Sequence, residues 1–276
     1  MKPDELAAYC ARIGLAQPLM PDLATLHAIH AAHCAAIPFE NLDVQLGLAP
    51  SLDPDAIFAK LVTHKRGGWC YEVNGLLARA LTAIGYRVRR ICAGVVRDDL
   101  GRVLHGSHLA LRVDLDEPWL IDTGFGSWIG APIPLRPGTL PLKPWPITMS
   151  RLPDGAWHLR AELRNRTMAY QFADAPADEA LMAQMCTWQA HSGDSIFVQN
   201  LVAQRRIGET DLGLRGRVLL KTDADGRTER LLTDADDLVT TLRESFGLDV
   251  PAIVQIWPAV VARHAALFPD QEYPTT

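Results

Sequence analysis

The stretch RGGWCYEVNGLLARALTAIG, residues 66–85, decides how the rest of the chain is read. Val73, Leu76, Leu77, Ala80, Leu81 and Ile84 fall at i, i+3, i+4, i+7, i+8 and i+11, the spacing that lines one face of an α-helix. Gly85 supplies the stop, so the helix runs from Cys70 to Ile84 and Cys70 stands at its amino end. Gly67 and Gly68 ahead of it permit a tight backbone turn. The unpaired N–H groups and partial positive charge of a helix amino terminus both favour thiolate over thiol, which suits a nucleophile. A free cysteine taken alone is more often a small buried hydrophobe, so that role needs partners.

Upstream, the chain reads as helix. Pro3 to Ile13 places Leu6, Tyr9, Cys10 and Ile13 on one stripe before Gly14, and Asp53 is an N-cap followed by Pro54 with Ile57, Phe58, Leu61 and Val62 as the buried face. Downstream of Gly85 the rhythm changes to short β-type runs: Tyr86–Val96, Val103–Val113 and Trp119–Ile121, then Ile147–Leu152, His158–Arg164 and Met168–Phe172. These predict an antiparallel meander closing into a small sheet or barrel. Helix returns at Asp178–Trp188. A hairpin across Asp223–Gly226 joins Val218–Lys221 to Thr228–Leu232, and helices follow at Asp236–Phe246 and Pro258–Phe268. The fold class is therefore α+β, in three sub-domains packed as one body: 1–85, 86–200 and 201–276.

Composition narrows the function. The 27 basic and 32 acidic residues give a net charge of -5 without long runs of one sign, which leaves no footprint for nucleic acid. No segment approaches the roughly 20 apolar residues of a membrane span, and the amino terminus carries acids where a signal peptide is apolar, so a soluble, cytoplasmic protein is expected. The five cysteines, at 10, 34, 70, 92 and 186, form no CxxC pair and indicate neither a disulfide framework nor a zinc site.

A cysteine nucleophile needs a base, and the base needs an orienting acceptor. His108 lies on the second strand of the meander and Asp122 follows the third. In an antiparallel pair centred on Leu115 they stand directly opposite, on one face. Asp122 also reads as the start of a turn, Asp122-Thr123-Gly124, and the spacing alone leaves both readings open.

Three segments in order carry a resemblance. Residues 66–75 resemble the active-site motif of the arylamine N-acetyltransferases, Ile37-Pro38-Phe39-Glu40-Asn41-Leu42-Asp43 resembles that family's IPFENLD, and Leu120-Ile121-Asp122-Thr123-Gly124-Phe125-Gly126 its LVDVGFG. Ser107-His108-Leu109-Ala110-Leu111 supplies the histidine strand between them. Trp69 and Thr123 replace the commoner tyrosine and valine, changes that keep size or branching. The resemblance implies an N-terminal helical bundle, a central antiparallel β-barrel and a C-terminal α/β lid, with a cysteine-peptidase-like triad. Cys70 would be the nucleophile, His108 the base and Asp122 the carboxylate that holds its tautomer.

It also implies acetyl-CoA as co-substrate, an arylamine or hydrazine acceptor, and no metal or prosthetic group. The reaction would be a double displacement through acetyl-cysteine, its oxyanions held by backbone N–H groups near the start of the Cys70 helix. Phe39, Tyr71, Val95, Phe125 and Phe197 match positions that line the acceptor pocket, and Gly124, Gly126 and Ser127 are the cofactor-binding candidates by close backbone approach. Amide synthases of the same family, which use a larger acyl donor, keep the same three groups. A transglutaminase- or peptidase-like thiol enzyme is a more distant alternative, and a non-catalytic binding protein of the same fold predicts an unreactive Cys70. The chain is left as monomer or homodimer.

His27, His30 and His33 fan over about 120° of helix surface rather than converging on a metal, and His33 is assigned a packing or hydrogen-bonding role. Glu40, Asn41, Glu72 and Asn74 are expected to form a buried network supporting the site.

Overall fold

Helix α1 (Pro3–Ile13) ends on Gly14 at φ 73°, and α2 (Leu23–Ala36) is capped by Asp22, whose side chain accepts from the Thr25 amide at 2.7 Å. A two-residue strand β1 (Phe39–Glu40) and the short helix α3 (Leu42–Gln45) lead to α4 (Pro54–Phe58). There Asp53 accepts from the amides of Asp55 and Ala56 at 3.1 and 2.8 Å, the N-cap that the sequence predicts. The chain continues through a π-helical turn, Ala59–Thr63, which buries Leu61 and Val62, while Phe58 is only half-buried. Helix α5 (Cys70–Ile84) has the predicted bounds, and Gly85 follows at φ 111°. Val73, Leu76, Leu77, Ala80 and Leu81 are fully buried, the larger of them contributing about 1.5–3 kcal/mol each by leaving water.

The computed structural model describes residues 1–143, 145–163 and 166–268, so Arg164 and the last eight residues of the C-terminal segment lie outside the described residues. Eight antiparallel strands follow α5: β2 (Arg87–Arg97), β3 (Arg102–Asp114), β4 (Pro118–Ile121), β5 (Ile133–Pro134), β6 (Gly138–Leu140), β7 (Ile147–Arg151), β8 (Trp157–Leu163) and β9 (Arg166–Phe172). Their order is β5-β4-β3-β2-β9-β8-β7-β6, which curls into a nearly closed barrel around Ile91, Leu120, Met149, Leu159 and Tyr170. Strands β5 and β6 escape sequence reading because both are two or three residues long and border prolines.

Helices α6 (Glu179–His191) and α7 (Ile196–Gln199) come next, and Met182 and Cys186 of α6 join the core built on α5. Strands β10 (Val202–Ile207), β11 (Thr210–Arg215), β12 (Val218–Asp223) and β13 (Gly226–Leu231) pair in chain order as an antiparallel meander, followed by α8 (Ala235–Phe246) and α9 (Trp257–Leu267). The hairpin of β12 and β13 is the predicted one. Strands β10 and β11 go unread because polar residues, Gln204-Arg205-Arg206 in one and Thr210, Asp211 and Arg215 in the other, break the apolar pattern. Strand β1 adds to this sheet beside β10, with Phe39 opposite Gln204 and Glu40 opposite Ala203, so an N-terminal segment completes a C-terminal sheet. Among the described residues no helix is long and apolar enough to cross a membrane.

Candidate active site

Three elements meet at Cys70. The first is the turn ahead of α5. The Gly68 amide donates to Pro38 O at 3.2 Å and Gly68 O accepts from the Glu40 amide at 3.0 Å, which zips residues 66–68 to β1. A Cβ on Gly67 would lie 2.3 Å from Pro38 O, and one on Gly68 2.6 Å from the Glu72 carboxylate, so both positions need glycine for space. Glu72 in turn accepts from the Trp69 amide at 3.2 Å and fixes where the helix starts.

The second element is a bulge. Ala93 pairs with His108 and Val95 with Leu104, so β2 spends one residue, Gly94, where β3 spends three, His105 to Ser107. Gly106 takes φ 78°, its carbonyl accepts from the Tyr71 hydroxyl at 2.7 Å, and Ser107 Oγ accepts from the Val95 amide at 3.1 Å. The bulge ends immediately before His108 and is tied to the residue after Cys70. Cys70 Sγ lies 3.9 Å from Ser107 O.

The third element is the turn after β4. Leu111 faces Ile121 and Asp114 faces Pro118, so the hairpin is centred on Asp116 rather than Leu115. Asp122, one residue past the strand, is thus diagonal to His108 and not opposite it. A slip of two residues preserves the face, and His108 Nε2 reaches Asp122 Oδ2 at 2.7 Å. An ionised carboxylate can only accept, so Nε2 carries the proton and Nδ1 is left for Cys70. Asp122 Oδ1 accepts from Asn74 Nδ2 and the Gly124 amide, both at 2.8 Å. The relative exposures of Cys70, His108 and Asp122 are 4%, 2% and 1%.

The electrostatics follow from that burial. For His108, burial works against protonation most strongly, but the charge and hydrogen bond of Asp122, with a hydrogen bond and charge from Cys70, outweigh it and raise the pKa to about 10. Burial likewise opposes ionisation of Asp122, and His108, Asn74 and the Gly124 amide reverse it, leaving the carboxyl below its ordinary value. The imidazolium–carboxylate pair is the resting form at neutral pH.

The expected pocket residues divide into groups. Phe39 and Phe197 are 6.0 Å apart between ring centres, and Phe197 lies 5.7 Å from Trp69. Phe125 packs on His108 at 5.2 Å, and Val95 sits half-buried at the bulge. Tyr71 is buried, its hydroxyl committed to Gly106 and to Gln189 at 2.9 Å. Tyr170, absent from the sequence reading, packs its ring on His108 at 4.9 Å; an aromatic on an alternating strand gives no sign of this. Of the cofactor-binding candidates, Gly124 approaches this chain's own backbone: a Cβ there would lie 2.7 Å from Cys70 Cα. A Cβ on Gly126 would lie 2.3 Å from Gln204 Oε1, and Ser127 is buried.

The supporting residues form the predicted network. Asn74 uses all four of its positions, donating to Leu109 O and Asp122 and accepting from the amide and hydroxyl of Thr123. Lys60 binds Asp43 at 2.6 Å and Glu72 at 2.8 Å, while Arg66 binds Glu40 and Asp43, each at 2.8 Å. The three histidines of α2 have separate partners: His27 meets the Trp119 ring, His30 Nε2 the Asp122 carbonyl at 3.2 Å, and His33 Nδ1 the Tyr9 hydroxyl at 2.9 Å. Burial lowers His30 to about 4 and His33 to about 3, so both are neutral.

The family model described as N-acetyltransferase matches residues 22–254. An arylamine N-acetyltransferase of Mycolicibacterium smegmatis is 36% identical over 258 residues, 89% of this chain and 92% of its own. One from Escherichia coli is 29% identical over 88% of each chain. Among solved structures, Mycobacterium marinum arylamine N-acetyltransferase in complex with CoA aligns with a TM-score of 0.84 at 31% identity, covering 94% of this chain and 97% of that one. The Salmonella typhimurium enzyme aligns with a TM-score of 0.86 at 27% identity, covering 95% and 100%.

Proposed function

The chain belongs to the arylamine N-acetyltransferase family, and from that premise we propose that Cys70, His108 and Asp122 carry the acetyl transfer. The protein moves an acetyl group from acetyl-CoA to arylamines, arylhydrazines and related amines. The observation that carries the assignment of roles is the 2.7 Å bond from His108 Nε2 to Asp122, which turns Nδ1 toward a cysteine at a helix amino terminus.

In the first half-reaction the Cys70 thiolate attacks the thioester carbonyl, the tetrahedral intermediate collapses, and the CoA thiolate leaves with the proton of His108. In the second, the amine attacks acetyl-Cys70, neutral His108 takes the amine proton, and Cys70 departs as thiolate beside the restored imidazolium. Asp122 keeps the ring in one tautomer throughout and stabilises its charged form. Backbone N–H groups at the start of α5 serve the oxyanion.

Phe39, Val95, Phe125 and Phe197 form the acceptor's apolar walls in this reading, and Tyr71 supports them from beneath. The loop carrying Gly124, Gly126 and Ser127 borders the acyl donor through its main chain. Its close packing on Cys70 supports a part in shaping the thiol's surroundings.

Intact-protein mass spectrometry with acetyl-CoA and no amine tests the proposal. One acetyl group is expected on the protein, absent from Cys70→Ala and discharged by an arylamine or hydrazine. Acetylation that persists in Cys70→Ala would remove Cys70 from the mechanism.

A further inference from the structure

Phe197 of α7 turns toward Trp69, but Val198 and Gln199, the next two residues, line a separate cavity of about 390 Å³. Its walls come from α3, α7, the β11–β13 face and α9, and none from the eight-stranded sheet. That volume falls within the range of about 300–1,000 Å³ common for small-molecule sites. Val218, Leu220, Val260 and Leu267 give it an apolar lining.

Three arginines reach this cavity, and their partners are unequal. Arg227 is ion-paired with Glu229 on the same strand. Arg263 donates from Nε to Asn200 Oδ1 at 3.2 Å and from Nη2 to Gln199 Oε1 at 3.1 Å, both neutral amides. The side chain of Arg215 has neither hydrogen bond nor ion pair among the described residues. Among the described residues that line the cavity, three guanidinium groups face the one carboxylate of Glu229, an excess of two positive charges. Arg215 is exposed along part of its length, and partial burial, followed by the charge of Arg263, lowers its pKa. Two guanidinium forks beside apolar walls, repelling one another with no counter-charge among the described residues, fit an anion that carries its own hydrophobic body.

We propose that this cavity binds a small amphipathic anion, a carboxylate or phosphate ester on an apolar chain or ring, held by Arg215 and Arg263. The site is independent of the thiol. Because Arg263 also holds Gln199 and Asn200, a ligand there is linked to α7, on which Phe197 sits.

Calorimetric titration of the full chain carrying Cys70→Ala, with octanoate, octyl phosphate and octanol as probes, tests this. At least one of the two anions is expected to bind one-to-one and to raise the thermal midpoint, with octanol about tenfold weaker or worse. Arg215→Gln should weaken the anion about tenfold or more, and Arg215→Lys should retain an intermediate affinity. Among the described residues Arg215 makes no side-chain bond that its loss could break, so an unchanged midpoint without ligand verifies the fold. The preferred anion identifies the headgroup. Failure of both anions to bind, equal binding by Arg215→Gln, or octanol as tight as either anion would overturn the proposal.

Discussion

Asn74, one helical turn beyond Cys70 on α5, donates to Asp122 Oδ1 at 2.8 Å across 48 residues of sequence. The helix that presents the thiol therefore also holds the carboxylate that orients the base. Its oxygen accepts from Thr123 as well, so the start of the turn after β4 cannot move without α5.

Replacing Asn74 by alanine should lower kcat/KM and stability together. Two buried hydrogen bonds to Asp122 and Leu109 and two to Thr123 disappear, one of them to a charged group, which is commonly worth about 1.5–3 kcal/mol. The expected activity loss is about 10–150-fold, read from steady-state acetylation of a variant verified as folded by circular dichroism. Full activity in a folded variant would show that Asp122 is placed without Asn74.

Asp122→Asn tests the tautomer. Oδ1 already accepts two N–H donors, so an asparagine keeps its oxygen there and turns its amide toward His108 Nε2, which must then accept. The ring proton moves to Nδ1, the nitrogen that faces Cys70, and an activity loss approaching about 10⁴-fold is expected by analogy with other thiol and hydroxyl triads. Retained activity would take Asp122 out of the mechanism.

The raised pKa of His108 makes a statement about stability. A histidine held at about 10 in the fold, against 6.5 as its ordinary value, contributes stabilisation that is complete below the lower value and lost as pH rises through the upper one. The thermal-midpoint gap between the parent protein and His108→Gln is thus expected to be widest near about pH 6 and to close toward about pH 10. In the same window iodoacetamide should alkylate Cys70 well below pH 8 and ahead of the other four cysteines, and the His108 variant should lose that advantage. A flat gap, or equal rates at all five cysteines, would contradict the ion pair.

Beneath the site, burial raises Glu72 to about 7 in spite of Lys60, whose own pKa its carboxylate neighbours raise. Lys60→Met removes the cation shared by Glu72 and Asp43 and should cost about 3–5 kcal/mol near neutral pH, the range for breaking a buried pair. Glu72 becomes protonated on acidification, so the penalty in urea unfolding should be smaller at about pH 5 than at about pH 8. A penalty independent of pH would mean that Glu72 does not carry it.

Gly124 has a steric role. An added methyl group would sit 2.7 Å from Cys70 Cα and 2.8 Å from Asn74 Nδ2, neither of which can withdraw. Gly124→Ala is expected to cost about 1–3 kcal/mol by overpacking and to reduce acetylation more than stability, since the displaced atoms belong to the thiol and its support. Unchanged kinetics would show that the loop is free to shift.

Much of this protein was legible from its residues alone, for a local reason. The face of α5, its stop at Gly85, the Asp53 cap and the order β2, β3, β4 all depend on contacts a few residues apart, which periodicity and capping chemistry encode directly. The partnership of His108 and Asp122 was legible as a shared face because strand parity survives a slip of two residues. The register itself was not, since it depends on the turn 115–117, where the Leu115 amide closes on Glu117 O at 3.2 Å. The bulge at His105–Ser107, the addition of β1 to a sheet built more than 160 residues later, and the paired arginines behind α7 were invisible as well. Each is set by long-range packing and by hydrogen bonds between segments with no shared periodicity. The sequence by itself therefore determined which groups could do the chemistry, and the tertiary structure decided how they face one another, because distance and register are properties of the packed chain and not of any stretch within it.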